Sequence, residues 1–281
     1  MARIQTSEEI DLSSVRDRVF ELHQSGKIHT ASTVPLESPE DLHDIYTPGV
    51  ALVCRAIHDD SEMAHTYTNI PSTVAIVTNG TAILGLGDIG PVAGMPVMEG
   101  KAVLFEKLVG ISGVPILVDS HDPQVVIETV AAIAPTFGAI QLEDIRAPEC
   151  FVIEEELQRR LPIPVMHDDQ HGTAVVVLAA LINACLFARR DLRRAVVGQI
   201  GLGAAGIGIA SILAAYGVKD IGDYILDKGF PLLYIIFRRL GAMVNFLNNL
   251  ANLLSTAFRK DPLHDFLRSL FGRFFLLLFA H

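Results

Sequence analysis

Six residues spread along the chain carry groups that suit proton transfer and metal binding. They are a phenol, an amine and four carboxylates, each beside a turn or near a predicted helix start: Tyr46, Lys101, Glu143, Asp144, Asp168 and Asp169. Carboxylate oxygens suit a hard divalent cation, whereas an amine and a phenol can accept or donate a proton. Together these groups predict chemistry on a small carboxylic acid.

Lys101 and Tyr46 each have two interpretations. Lys101 stands in M-E-G-K-A-V-L-F, where an apolar helix start and a nearby metal would destabilise its ammonium form, lower its pKa and make it a base. The alternative is an ordinary surface lysine. Tyr46, in Y-T-P-G-V-A, is either a packing residue at a Pro-Gly turn or a proton donor tuned by a nearby cation.

Three of the carboxylates follow predicted strands. Glu143 and Asp144 come directly after the apolar run 139–142, and Asp169 follows the next run, 163–166. Ligands gather at the carboxyl ends of strands in open α/β sheets, so these side chains could converge on one Mg²⁺ or Mn²⁺ ion. In the alternative interpretation, Glu143 and Asp144 only cap the helix that follows them.

The segment H-D-D-Q-H-G-T-A permits a rival metal. His167 and His171 are four residues apart and could bind zinc if both lay on one helix. Gly172 and Thr173 favour a helix that begins only after His171, with Thr173 as its capping residue, which argues against this geometry. The adjacent carboxylates also favour a harder ion than zinc.

Short β-branched runs alternate with helical patterns along the chain. Strands are predicted at residues 73–77, 114–118, 139–142 and 163–166. Helices are predicted at residues 11–24, 49–56, 97–109, 123–134, 148–160 and 173–187. The Ser-, Thr- and Pro-rich segment between the first two helices is predicted to be a loop. Alternation of this kind predicts an α/β fold with a parallel sheet.

A second unit begins near Arg193. Its pattern is an apolar strand, the glycine-rich segment G-L-G-A-A-G, a helix and a possible second strand, at residues 195–200, 201–206, 207–216 and 218–226. This order is typical of the first βαβ unit of a dinucleotide-binding domain. Gly201 would permit the tight turn, Gly203 would let the backbone approach a pyrophosphate, and Gly206 would let the helix pack closely on the strand.

Composition narrows the class of protein. The 281 residues carry a net charge of −10, which argues against a nucleic-acid-binding surface. The three cysteines, Cys54, Cys150 and Cys185, form no C-x-x-C pair, so neither disulfide bonds nor a thiolate metal site is expected. The acidic N-terminus lacks the apolar core of a signal peptide, and we expect a cytoplasmic enzyme.

The composition changes near Phe230. Residues 230–281 hold nine of the 14 Phe and two of the 22 Gly, with six Lys or Arg and two Asp or Glu. They predict Leu/Phe-rich helices at residues 232–258 and 263–280, and the four Asn within the uncharged stretch 240–258 argue against a membrane span. Three explanations stay open: a truncated or shifted reading frame, a genuine replacement domain, and a chimeric chain.

Four motifs occur in an order and spacing that resemble a known family. They are Y-T-P-G-V-A, L-G-L-G-D-I-G-P-V-A-G-M-P-V-M-E-G-K-A-V-L-F, L-E-D-I-R-A-P-E-C-F and H-D-D-Q-H-G-T-A. From about Leu22 to Asp220 the chain resembles the malic enzymes in their shorter bacterial type. The resemblance implies a malic-enzyme N-terminal domain at residues 1–190, the start of a Rossmann-type NAD(P)-binding domain at 191–229, and an atypical apolar helical tail at 230–281.

The resemblance also implies an activity, the oxidative decarboxylation of (S)-malate to pyruvate and CO₂ with reduction of NAD or NADP. Lys101 would accept the proton of the C2 hydroxyl with the support of Asp168, and Tyr46 would protonate C3 of the resulting enolpyruvate. The Mg²⁺ or Mn²⁺ ion would be held by three carboxylates: Glu143, Asp144 and Asp169.

In the cofactor unit, the resemblance implies that Gly201, Gly203 and Gly206 cradle the pyrophosphate. Asp227, at the end of the second strand, would bind the ribose diol of NAD and repel the 2′-phosphate of NADP. Because the family pattern stops near Gly229, impaired turnover is expected. A silent malate- or metal-binding protein and an oxaloacetate decarboxylase without hydride transfer are the alternatives. A homo-oligomer, dimeric or larger, is also expected.

Overall fold

The computed structural model describes residues 12–224 and contains two parallel sheets. The strands are β1 Thr73–Thr78, β2 Ser112–Leu117, β3 Ala139–Leu142, β4 Val165–His167, β5 Val196–Ile200 and β6 Asp220–Tyr224. The larger sheet has the order β2-β1-β3-β4, and β5 pairs with β6 in the smaller one. All pairings are parallel, which confirms the predicted α/β fold.

The described residues also contain nine α-helices. They are α1 Leu12–His23, α2 Pro39–Ile45, α3 Val50–Asp59, α4 Ala64–Tyr67, α5 Pro91–Leu104, α6 Pro123–Ile133, α7 Glu149–Arg160, α8 Asp168–Phe187 and α9 Ala204–Tyr216. The predicted tail and Asp227 lie outside the described residues. The domain boundaries at residues 190 and 229 stay predictions.

Strand β1 forms the centre of the larger sheet, and all six of its residues are buried. On one face, Ala75 and Val77 belong to a core that α6 and α7 complete. On the other face, Ile76 packs with Met98 and Ala102 of α5. Burial on both faces explains why β1 is a nearly continuous apolar run rather than an alternating one.

The direction of the connections reverses at β1. From β1 the chain passes to β2 on one side, and from β2 it crosses to β3 on the other side. In open α/β sheets, ligands bind outside the carboxyl ends of the strands where the order reverses in this way. The segments that follow β1 and β3, residues 79–90 and 143–148, therefore mark the place where a site is expected.

The loop predicted between α1 and α3 contains the helix α2, so the prediction was wrong there. The helix begins with a capping box in which the Asp41 N–H donates to Ser38 Oγ at 3.1 Å and the Ser38 N–H donates to Asp41 Oδ2 at 2.9 Å. Pro39 occupies the first helical position, where its missing N–H costs nothing. With seven residues, α2 is too short to show a helical apolar period.

Two helices begin earlier than predicted. α5 begins at Pro91 instead of residue 97, because a proline suits the first turn of a helix. Lys101 therefore lies near the end of α5 rather than at a helix start. α8 begins at Asp168 instead of residue 173, so Thr173 does not cap it.

The smaller sheet has one face covered within the described residues. On that face, Val197 packs in a core with Leu213 of α9 and Val218. On the opposite face of β5, Val196 and Ile200 are 74% and 75% exposed. Side chains of α8 complete the same core, and α8 thereby joins the two sheets.

Helix α8 is long and apolar enough to cross a membrane, judged by length and composition alone. It is the one such helix among residues 12–224. This is weak evidence for a span, because the core helices of soluble proteins have the same composition. Here Leu178, Leu181 and Ile182 of α8 pack against the core of the smaller sheet.

Candidate functional site

The centre of the site is Lys101, whose amine lies between two carboxylates. Its Nζ is 2.8 Å from Asp168 Oδ2 and 3.3 Å from Glu143 Oε1. Lys101 comes from α5, Glu143 follows β3, and Asp168 is the first residue of α8. Three predicted residues that are far apart in the sequence are thus in contact at the carboxyl edge of the sheet.

Opposing effects of the surroundings set the pKa of Lys101. Burial lowers the pKa, but the negative charges and hydrogen bonds of Asp168 and Glu143 raise it, and the net pKa lies above the usual lysine value. The destabilised ammonium was predicted for a lysine near a bound metal, and it stays a prediction. The sequence shows that the surroundings are apolar but not that two carboxylates meet the amine.

Asp144 and Asp169 form the adjacent part of the site. The Asp144 backbone N–H donates to Asp169 Oδ2 at 3.1 Å, and the Leu84 N–H donates to Asp144 Oδ1 at 3.4 Å. Asp144 has a left-handed backbone with φ of 52°, which turns the chain sharply after β3. Neither Glu143 nor Asp144 caps the following helix, because Pro148 is the N-cap of α7 and no side chain bonds there. The capping interpretation was wrong.

Burial and mutual repulsion raise the pKa of three carboxylates of the site, Glu143, Asp144 and Asp169. Burial and the charge of Asp168 raise the pKa of Glu143 to about 7, against the opposing effect of Lys101. Burial and the charge of Asp144 raise the pKa of Asp169 to about 6. These neighbouring carboxylates resist ionisation, and a bound cation would stabilise their ionised form.

The donor set fits Mg²⁺ or Mn²⁺. Asp144 Oδ2 is buried and has no hydrogen-bond partner among residues 12–224, so one oxygen is available to a ligand. Glu143, by contrast, accepts a hydrogen bond from Gln141 Nε2 and faces Lys101. Within the described part of the chain, no three His, Cys, Asp or Glu side chains are already gathered as a metal site.

The two histidines of H-D-D-Q-H-G-T-A have different neighbours. His167 Nε2 lies 3.3 Å from Asp169 Oδ2, and His171 Nε2 lies 2.7 Å from Glu154 Oε1. The helix begins at Asp168, so the reason first given against a zinc pair was wrong. The pair is nevertheless not formed, because each imidazole faces a different carboxylate.

Glu154, on α7, was missed by the sequence reasoning. Its carboxylate is 3% exposed and contacts residues 167, 170 and 171 at the start of α8. Hydrogen bonds from His171 and from the His167 backbone hold the pKa of Glu154 below its usual value, although burial opposes this. Its place beside Ile153 and Leu157 on the apolar face of α7 was the signal that could have identified it.

A second missed contact ties α5 to the chain that follows α1. The Lys27 N–H donates to Glu99 Oε2 at 3.1 Å, and Lys27 Nζ donates to the Pro96 carbonyl at 2.6 Å. A Cβ at Gly100 would lie 3.5 Å from Lys27 Nζ, which is an ordinary van der Waals distance, so the lysine does not require glycine there. In M-E-G-K, Glu99 therefore holds the N-terminal segment while Lys101 faces the carboxylates.

Tyr46 forms no hydrogen bond with the other predicted site residues in the part of the chain that the structure describes. It ends α2 and is 67% exposed. Its predicted role stays a prediction.

The glycine-rich segment has the geometry expected of a dinucleotide loop. Gly201 follows β5 with a positive φ of 97°, and Gly203 is the N-cap of α9. A Cβ at Gly206 would collide with the Gly201 carbonyl, which explains the third glycine. The Gln199 amide stabilises the turn by donating to the carbonyls of Gly201 and Gly206, at 3.1 and 2.8 Å. These residues fit a pyrophosphate at the start of α9.

Comparison with known proteins shows which sequences and structures this chain is similar to. Residues 25–125, which include Lys101, match the malic enzyme N-terminal domain. The NAD-dependent malic enzyme 1 of Bacillus subtilis (strain 168) is 58% identical over 221 residues, which are 79% of this chain and 50% of that protein. The matched part of the chain is similar to the malic enzymes. The chain spans about half the length of the curated relatives it matches first.

Further malic enzymes are similar to the chain in sequence and in structure. The NADP-dependent malic enzyme of Escherichia coli (strain K12) is 49% identical over 203 residues, 72% of this chain and 27% of that protein. The crystal structure of the malic enzyme from Pyrococcus horikoshii Ot3 superposes with a TM-score of 0.74 at 45% identity, and the match covers 77% of this chain and 52% of that one.

Proposed function

We propose that the chain catalyses the oxidative decarboxylation of (S)-malate to pyruvate and CO₂, with reduction of NAD or NADP. The observation that carries this proposal is the position of Lys101 Nζ, 2.8 Å from Asp168 and 3.3 Å from Glu143. An amine so placed can exchange a proton with a substrate hydroxyl beside the acidic cluster. Relatives described as NAD- and NADP-dependent malic enzymes support the proposal.

Three carboxylates would hold a Mg²⁺ or Mn²⁺ ion in this function: Glu143, Asp144 and Asp169. When bound, such a cation acidifies a hydroxyl group and stabilises the negative charge that develops on oxygen during decarboxylation. Its charge would also oppose the carboxylate charges that raise the pKa of Lys101.

Lys101 would act in its neutral form as the base. It would accept the C2 hydroxyl proton as malate is oxidised to oxaloacetate, and a nicotinamide bound at the cofactor site would supply the acceptor for the C2 hydride. Asp168 then holds the ammonium group that has formed. Loss of CO₂ leaves enolpyruvate, and Tyr46 would protonate C3 to give pyruvate. This last role requires Tyr46 to reach the site from α2.

The cofactor would bind at the start of α9. Gly201, Gly203 and Gly206 would cradle its pyrophosphate, and a Cβ at Gly201 or Gly203 would meet no atom within 4 Å, so the loop leaves open space before α9. A preference for NAD over NADP rests on Asp227, which lies outside the described residues.

Malate-dependent formation of reduced nucleotide, with Mn²⁺ present, tests the proposal. We expect Lys101→Ala to abolish it and chelation with EDTA to stop it. Lys107→Ala is the matched control, because Lys107 is exposed and pairs with its neighbour Glu106. A wild-type protein that reduces neither NAD nor NADP, or a Lys101→Ala variant that keeps full activity, would contradict the proposal.

Decarboxylation of oxaloacetate without a nucleotide is the second candidate function. It is favoured because the described proton- and metal-handling groups at the sheet edge all precede β5 and the cofactor loop. Loss of oxaloacetate with Mn²⁺ alone would support it. A silent binding protein would instead bind Mn²⁺ and catalyse neither reaction.

We also propose that the chain forms a homo-oligomer. Its N-terminal helices expose large apolar side chains: Val19, Phe20, Leu22, Leu42, Ile45 and Leu52. Exposed apolar patches of this kind mark interaction surfaces. Light scattering on the purified protein gives the stoichiometry, and a mass of one chain would exclude the oligomer.

A further inference from the structure

We propose that Glu154 is a positioning residue that holds the first turn of α8, so that Asp168 and Asp169 face the divalent cation and Lys101. The inference rests on the proposed function, because it takes Asp169 as a ligand of the cation. Glu154 lies outside the acidic cluster, and we expect its replacement to weaken binding of the cation.

The contacts of Glu154 all fall on one turn of α8. Its Oε1 accepts the His167 backbone N–H at 2.8 Å and lies 2.7 Å from His171 Nε2. Its Oε2 accepts from Gln170 Nε2 at 3.1 Å. The Glu154 carboxylate therefore contacts residues 167, 170 and 171. These residues flank Asp168 and Asp169 in the sequence.

The location of this carboxylate explains why the turn needs it. His167 is the N-cap of α8, and its side chain makes no capping hydrogen bond. The first N–H groups of a helix lack partners within the helix, and the helix dipole favours a negative charge there. Glu154 supplies such a charge from the neighbouring helix α7. A buried charge is tolerated only where several donors compensate it, and this one has three.

The turn is held on its other side as well. A Cβ at Gly208 of α9 would collide with the Gln170 carbonyl, so the backbone of the turn lies directly against α9. The His167 ring, which is fully buried, lies 3.3 Å from Asp169 Oδ2. A shift of the turn would therefore move Asp169 relative to Asp144, whose N–H it accepts.

The magnitude of the effect follows from other metal sites, where groups that orient the ligands change metal affinity by about 10- to 100-fold. Glu154→Gln keeps an acceptor for the His167 N–H but removes the charge. We expect it to weaken Mn²⁺ binding by about tenfold, and we expect Glu154→Leu to weaken it further.

The experiment is titration of the full chain with Mn²⁺, in which electron paramagnetic resonance measures the free ion. The variants are Glu154→Gln and Glu154→Leu, with Glu155→Gln as the matched control because Glu155 is exposed on the same helix. Circular dichroism shows that each variant is folded at the temperature of the titration. The line shape of the bound Mn²⁺ reports its coordination symmetry, which a loss of stability alone would leave unchanged.

A tenfold weaker affinity in Glu154→Gln, with an altered line shape and an unchanged Glu155→Gln, supports the inference. Equal affinities of wild type and Glu154→Gln overturn it while leaving the proposed function intact. If the wild type binds no Mn²⁺, the proposed metal site and this inference both fail. Should Glu154→Gln not fold, Gln170→Met removes one of the three contacts, and an unchanged Mn²⁺ affinity of that variant would overturn the inference.

Discussion

Gly208 of α9 packs directly against the backbone carbonyl of Gln170 in the first turn of α8. The glycine determines how closely the two helices approach, because any Cβ at this position would collide with that oxygen. The glycine-rich loop precedes α9, and Asp168 and Asp169 begin α8. The distance from the proposed cofactor site to the proposed metal site therefore depends on this crossing.

We predict that Gly208→Ala impairs hydride transfer more than decarboxylation. Moving α9 by about 1 Å misplaces the nicotinamide, and a misplacement of this size can cost about 100-fold in rate. Malate oxidation and oxaloacetate decarboxylation are to be measured on the same preparation. Gly198→Ala is the control, since a Cβ at Gly198 meets no atom within 4 Å. An equal loss of malate oxidation and oxaloacetate decarboxylation would show that the contact between α8 and α9 does not affect hydride transfer selectively.

Asp168→Asn is predicted to lower the pKa of Lys101. The charge of Asp168 is the largest of the effects that raise this pKa, so its removal leaves burial, which lowers the pKa, less opposed. The measurement is the pH dependence of Lys101 acetylation in metal-free protein, read by mass spectrometry. Asp119→Asn, at an exposed position, should leave the titration unchanged. A titration that does not move in Asp168→Asn would mean that Glu143 alone stabilises the ammonium.

Much of the fold follows from the sequence, because buried parallel strands are apolar runs that can be recognised locally. β1 and β3 are found close to their predicted ends. The start of α8 could not be found in this way. The chain around Asp168 lacks a local capping side chain, and the stabilising carboxylate comes from Glu154 on another helix.

The site was predictable in its residue types but not in its contacts. Lys101 and Asp168 stand out as an amine and a carboxylate at predicted element ends, and the structure brings them within 2.8 Å. Glu154 lies in the run E-E-E, whose members look alike in the sequence. Its helical spacing with Ile153 and Leu157 distinguishes it from Glu155, which is exposed on the same helix, but its contacts with α8 follow only from packing.

Glu154→Gln is also predicted to destabilise the fold in a pH-dependent way. The folded-state pKa of Glu154 lies below its usual value of 4.5, so its charge stabilises the protein above about pH 4.5 and this contribution is lost as the pH falls through the folded-state pKa. We expect the free energy of unfolding to fall by about 2–4 kcal/mol at pH 7. The difference from wild type should shrink towards pH 3 in urea titrations. A difference that stays constant with pH would exclude the charge as its cause.

Glu99→Ala is predicted to loosen the segment between α1 and α2. It removes the acceptor of the Lys27 N–H, a hydrogen bond worth about 1 kcal/mol, so hydrogen exchange around Lys27 should become about five times faster. Glu106→Ala, on the exposed surface that follows α5, is the control. Unchanged exchange would show that the contact of Lys27 Nζ with the Pro96 carbonyl is sufficient.

Asp144 shows how folding and chemistry place different demands on one position. Its φ of 52° lies in the left-handed region, which glycine adopts without a steric penalty and which aspartate tolerates better than most residues do. Selection for thermal stability alone would favour glycine at position 144, but this replacement would remove a carboxylate from the sheet edge. At position 144, selection for stability and selection for activity therefore favour different residues.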